Sequence, residues 1–260
     1  MLPILFRIGD FPVHSYGVLI AAGFLLCVWL SKREAARIGL PGERIVDLGF
    51  WSLLVGMLGA RILFIITRWS YFREYPLEMF YVWEGGLVFY GGPIVALPFH
   101  LWYCRKYALP VRKVLDLAAV AIPIAHAFGR LGCLSAGCCH GKATGGSWGI
   151  ILNSELVEPH LRGIPLHPTQ IYEAASLFGL FFYLAWRRHR KKFDGELALT
   201  YVIAYSIIRS VIEIFRGDSI RGFVIDGWLS TSQFISVLAV VAAIVAWISM
   251  KQTAERGPSA

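Results

Sequence analysis

Apolar runs of about 20 residues recur along the whole chain, with short basic clusters set between them. A run of that length covers a hydrocarbon core of roughly 30 Å when coiled as a helix at 1.5 Å per residue. Seven such spans can be drawn, at about 14–31, 46–66, 86–104, 114–134, 169–186, 196–215 and 230–249. The pattern specifies an all-α polytopic membrane protein with seven transmembrane helices. Composition agrees, because 57% of the 260 residues are apolar and only 16% are charged, against about 25% charged in a soluble domain. The first span lacks a basic leader and a small-residue cleavage site and opens on His14-Ser15-Tyr16, so it is read as a span rather than a signal peptide.

The net charge of +8 does not point to nucleic acid, because the positives form neither one face nor one tail. Of the 25 Lys and Arg, 15 fall in one set of connections, including Arg187-Arg188-His189-Arg190-Lys191-Lys192, and 7 in the opposite set. The positive-inside rule then puts the N-terminus outside and the C-terminus in the cytoplasm. The run at 187–192 reads as a stop-transfer anchor. An aromatic-rich segment at 68–85 reads as amphipathic chain in the headgroup zone. No repeat, linker or soluble insert appears, so residues 1–260 are treated as one domain.

Arg61, Arg130 and Arg209 lie in or at the edge of spans, where a charge costs about 2.5–3.5 kcal/mol at the bilayer centre on insertion scales. Arg61 has a snorkelling explanation and Arg209 an ion pair with Glu213 one turn on. Arg130 is harder to dismiss: His126 precedes it by one turn, and Gly129 and Gly132 flank it. A guanidinium offers planar, two-pronged donors to phosphate, which suggests a phospholipid handled near the outer headgroups. A transporter of an anionic solute or lipid uses similar arginines, but no internal repeat supports one. Cys133, Cys138 and Cys139 cluster with His140. Paired zinc ligands are usually two to four residues apart, and Cys138 and Cys139 are adjacent, so no metal and no cofactor is expected. A disulfide or a buried thiol contact is the preferred reading, with connectivity left open.

Five stretches carry a family resemblance. They are His14-Ser15-Tyr16-Gly17, Trp83-Glu84-Gly85-Gly86-Leu87-Val88-Phe89-Tyr90-Gly91-Gly92, Gly129-Arg130-Leu131-Gly132-Cys133 through Gly141, Leu166-His167-Pro168-Thr169-Gln170-Ile171-Tyr172-Glu173, and Tyr205 through Arg216. With them the chain resembles the prolipoprotein diacylglyceryl transferase family over nearly its whole length. The resemblance implies transfer of the diacylglyceryl group of phosphatidylglycerol to the lipobox cysteine thiol of preprolipoprotein signal peptides, with glycerol phosphate released. It implies a bacterial inner-membrane enzyme, in contact with membrane lipids and expected to be a monomer. Arg130 and Arg209 match the family's key arginines, and Tyr90 and His126 complete the expected catalytic set. Tyr16, Arg61, Gly91, Gly92, Gly129, Cys133, Gly141, Tyr205, Glu213 and Arg216 are the expected substrate-binding residues.

Two positions depart from the family: Tyr90 stands where His is common, and Cys133 where Asn is common. A tyrosine is a poor base at neutral pH, so His126 or His140 is the candidate substitute, and His167 is expected to position Tyr172 and Glu173. The departures keep a second reading open, a divergent paralogue acting on a different acceptor.

Overall fold

The computed structural model describes residues 3–81, 85–216, 223–225 and 228–255. Trp83 and Glu84 of the glycine-rich stretch and the basic residue Arg221 lie outside them. The described chain is mostly helical. Eight α-helices run α1 Ser15–Arg37, α2 Gly42–Thr67, α3 Trp69–Glu74, α4 Gly91–Lys106, α5 Val111–Ala136, α6 Thr169–Arg187, α7 Glu196–Phe215 and α8 Thr231–Glu255. Five of them, α1, α2, α5, α7 and α8, are long and apolar enough to cross a membrane. Helices α4 and α6 coincide with the other two expected spans, but α4 is only 16 residues and α6 19.

Three short antiparallel strand pairs, absent from the sequence reading, interrupt the helical pattern. They are β1 Ile4–Ile8 with β2 Phe11–His14, β3 Ile150–Ile151 with β4 Pro165–Leu166, and β5 Phe223–Ile225 with β6 Leu229–Ser230. None exceeds five residues, too short for an alternating pattern to stand out against apolar surroundings.

Cα packing divides the chain into two units, one formed by the chain up to Leu30 together with Leu115 onward, the other by Ser31–Val114. In the second unit α2 meets α4 at two glycines. A Cβ on Gly59 would lie 2.4 Å from the Gly91 carbonyl oxygen, and one on Gly91 would lie 2.2 Å from that of Gly59. Only glycine permits that backbone approach, which is how small residues let membrane helices pack. Ser52 Oγ reaches His100 Nδ1 across the same pair at 3.3 Å.

In the first unit Ala119 and Val120 of α5, Leu180 and Leu184 of α6 and Leu197 of α7 form one buried cluster. A second cluster, Leu152, Val157 and Leu166, gives the long 137–168 connection a core of its own. Outward faces are apolar instead: Val237, Leu238, Val241 and Val245 of α8 are all more than half exposed. In water such a stripe would be an association site; against lipid it is the expected surface.

The basic run at 187–192 makes specific ion pairs. Asp116, buried on α5, accepts from Lys191 Nζ at 2.8 Å and from the backbone N–H groups of Gly195 and Ala198. It thereby caps the start of α7, satisfying N–H groups that a helix terminus leaves without intrahelical partners. Fully buried Glu196 pairs with Arg187. Burial alone would lower the Lys191 pKa, but its bonds to Asp116 and Asp194 outweigh that and hold it above the usual value.

Candidate active site

Helix α5 carries His126, Arg130 and Cys133 at i, i+4 and i+7, the spacing of one helical face. Helix α7 carries Tyr201, Tyr205, Arg209 and Glu213 every fourth residue. Between them stands Glu173 of α6, only 1% exposed. Arg130 Nη2 lies 3.0 Å from Glu173 Oε1, His126 Nε2 lies 3.6 Å from it, and the Tyr205 hydroxyl donates to it at 3.1 Å. The imidazole meets the Tyr205 ring edge-on, with centroids 5.0 Å apart, and Tyr205 stacks on Tyr201.

Arg209, 8% exposed, pairs with Glu213 one turn on and donates to Ser232 Oγ of α8 at 3.1 Å. Both guanidiniums lie in electrostatic range of His126 and Tyr205. Among the described residues, Arg130 Nε and Arg209 Nη1 have no hydrogen-bond partner although both are buried. Leaving a buried donor unsatisfied costs about 1–3 kcal/mol, more for a charged group. Two unsatisfied guanidinium N–H groups therefore suit an anionic ligand. Beside Arg130 there is room, because a Cβ on Gly129 would meet nothing within 4 Å.

Glu173 is not among the site residues that the sequence marks, although it stands in the Tyr172-Glu173 motif after His167-Pro168. Burial of its charge is a tertiary fact, and a carboxylate at a helix start is unremarkable in sequence. His167 Nδ1 does meet the Tyr172 hydroxyl, at 3.3 Å.

The segment after α5 is stapled to α6 and α7. Buried Thr169 and Gln170 donate to the carbonyls of Cys139 and Cys138 at 2.9 and 2.7 Å. Gly141 N–H bonds the His167 carbonyl, and a Cβ on Gly141 would lie 2.5 Å from the Phe215 carbonyl oxygen. Gly141 forms a bridge with Arg216, whose guanidinium bonds Cys139. No disulfide joins any of the five cysteines in the structure. The sulfurs of Cys133, Cys138 and Cys139 lie within 4.8 Å of one another. Bonds from Cys133 and Cys138, with help from Arg216, hold the Cys139 thiol below the usual range, while bonds to Cys133 and Cys139, with burial, push Cys138 up. Tyr16 lies in range of this cluster and of Arg130. It also lines a cavity of about 1060 Å³ with His14, Ser135, Ala136 and Asn153.

The remaining expected residues belong to the Ser31–Val114 unit. Arg61 is buried rather than snorkelling. Its guanidinium donates to the carbonyls of Glu78, Met79, Tyr81, Gly85 and Gly86, at 2.6–3.3 Å. Tyr90 is 43% exposed at the start of α4, and Gly91 makes the contact with α2 described above. Gly92 also faces α2, where an added Cβ would lie 3.4 Å from the Gly56 carbonyl oxygen.

A model of the prolipoprotein diacylglyceryl transferase family matches residues 3–249. The chain belongs to that family. Curated relatives agree. A phosphatidylglycerol–prolipoprotein diacylglyceryl transferase of Clostridium tetani is 35% identical over 94% of this chain and 96% of its own. One from Lactobacillus delbrueckii subsp. bulgaricus is 33% identical over 95% and 90%, and one from Bacillus velezensis 34% over 95% and 91%. With five helices apolar enough to cross a bilayer, membership makes this a multi-pass membrane protein.

Proposed function

We propose that the chain transfers the diacylglyceryl group of phosphatidylglycerol to the lipobox cysteine thiol of preprolipoproteins, the first step of lipoprotein maturation. The supporting observation is the pair of buried guanidinium donors without partners, Arg130 Nε and Arg209 Nη1, on a chain whose relatives are named for phosphatidylglycerol. Arg130 and Arg209 clamp the phosphate and stabilise the charge that leaves with glycerol phosphate, as preorganised donors in a dry site do. Glu173 sets the orientation of Arg130, and Tyr205 steadies Glu173. His126, facing Glu173, takes the proton that the acceptor thiol gives up. Tyr16 and the cavity it lines receive the acceptor, with Gly129 leaving room beside Arg130. In the Ser31–Val114 unit, Arg61 holds the carbonyls it binds, and Gly91 and Gly92 let α4 lie close on α2 below Tyr90.

The enzyme works in the bacterial inner membrane as a monomer with seven spans, N-terminus outside and C-terminus in the cytoplasm. The 15-to-7 division of basic residues supports that orientation. The test is purified protein in detergent, given phosphatidylglycerol and a lipobox peptide, with mass spectrometry for a thioether-linked diacylglyceryl product. Folded protein that binds phosphatidylglycerol but gives no product would instead favour the paralogue with a different acceptor, the reading that Tyr90 and Cys133 keep open.

A further inference from the structure

The three thiols beside the arginines have no part in that clamp. Sequence spacing argues against a metal, since adjacent residues rarely turn their side chains to one point. The structure removes the objection: Cys139 has φ 63°, which reverses the chain, and Cys133, Cys138 and Cys139 converge within 4.8 Å. Three sulfurs bound at about 2.3 Å to a tetrahedral zinc would stand roughly 3.8 Å apart, so a small contraction suffices. Thr169 and Gln170 already hold the backbone of the two loop ligands. No fourth Cys, His, Asp or Glu joins the group among the described residues. Structural zinc sites close with four protein ligands, and catalytic ones supply three and leave a position open. Thiolate ligands also select zinc over harder ions.

We propose that Cys133, Cys138 and Cys139 form a zinc site with one open position, and that this position takes the acceptor cysteine thiol as a thiolate. The proposal rests on the transferase reading and adds to His126, the proton acceptor, a group that makes the acceptor thiol easy to deprotonate. A thiol bound to zinc is deprotonated outright. Its proton passes to His126, and the thiolate lone pair forms the bond to the glyceryl carbon. The carbon–oxygen bond to phosphate breaks, its electrons leave with glycerol phosphate, and zinc keeps its oxidation state.

Charge supports the arrangement. Zinc with four thiolates carries two net negative charges, and two guanidiniums stand by. Arg130 lies in range of Cys133 and Cys139, and Arg216 bonds Cys139. Access supports it too, since Ser135 and Ala136, between the first and second ligands, line the cavity that Tyr16 borders.

The experiment uses the full chain in detergent, purified under reducing conditions and titrated with Co²⁺ as a spectroscopic stand-in for zinc. Expected are one cobalt per chain and a thiolate-to-cobalt charge-transfer band. The band should persist in the Cys27→Ser/Cys104→Ser double variant, whose positions lie outside the cluster. It should be lost in Cys138→Ser and Cys139→Ser. A lipobox peptide should shift it, and the same peptide with Ser for Cys should not. Folded parent protein that takes up no stoichiometric cobalt, or whose peptide map shows a disulfide within the cluster, would overturn the site. Bound cobalt indifferent to the thiol peptide would overturn the open position. Full-rate transfer by protein shown metal-free by elemental analysis would overturn the proposal and leave the transferase standing. A thiol-responsive cobalt site without any diacylglyceryl product would do the reverse.

Discussion

Replacing Arg130 or Arg209 with Lys tests the phosphate clamp most directly. Lys keeps the charge but has one ammonium on a flexible stem, without the planar fork of Arg. Arg130 already commits Nη2 to Glu173 at 3.0 Å and leaves Nε for a ligand. Arg209 commits Nη2 to Glu213 and Ser232 and leaves Nη1. A lysine at either place can keep the carboxylate or meet the phosphate, but not hold both in this geometry. The loss is one hydrogen bond to a charged group, about 1.5–3 kcal/mol. At about 1.4 kcal/mol per decade that is roughly a 10- to 150-fold fall in transfer rate. Because the missing bond is to the leaving phosphate, the fall should appear in kcat and kcat/KM together. Turnover of phosphatidylglycerol with a lipobox peptide, measured alongside thermal unfolding in the same detergent, separates chemistry from folding. Both Lys variants turning over at near-parental rates, with unchanged lipid binding, would refute the clamp and make the arginines structural.

Other substitutions follow from the same geometry. Glu173→Gln removes the charge on which Arg130, His126 and Tyr205 converge, so it should lower stability by about 3–5 kcal/mol, as breaking a buried pair does; an unfolding midpoint unchanged from the parent would contradict the central role given to Glu173. Gly141→Ala drives a methyl against the Phe215 carbonyl and should cost about 1–3 kcal/mol of overpacking, read as earlier thermal unfolding. Arg61→Lys has three donors for five carbonyls and should loosen the backbone at Glu78, Met79, Tyr81, Gly85 and Gly86, visible as faster proteolysis beside those residues without loss of membrane insertion. Lys191, raised above its usual 10.5 by Asp116 and Asp194, gives stability that is full below that pH and lost as pH rises through the folded value; Lys191→Met should flatten that alkaline limb.

The helices were legible because lipid demands long apolar segments: each expected span overlaps a helix, and five of those helices are long and apolar enough to cross a membrane. The strand pairs were not, since two- to five-residue strands leave no period to count. Arg130 and Arg209 were legible for the same reason as the helices: a charge in an apolar run stands out. Glu173 and Asp116 were not, because burial of a carboxylate near a helix end depends on which helices meet. Arg61 shows the limit of the argument from cost. The same expense that marks a ligand-binding arginine marks one spent on five backbone carbonyls, and only contacts tell the two apart.

Arg61 has every donor direction turned to its own chain, so it fixes a segment and has nothing left to offer a ligand. Arg130 and Arg209 are each held on one side by a carboxylate and left unsatisfied on the other. A carboxylate that neutralised either one completely would abolish anion binding. One that was absent would leave the guanidinium free to turn toward water. Pairing on one edge keeps the charge in place in an apolar surrounding while the other edge remains available, and Ser232 and Tyr205, as neutral partners, steady the arrangement without adding charge. In the proposed clamp, therefore, Glu173 and Glu213 orient the arginines and do not compete with phosphate for them.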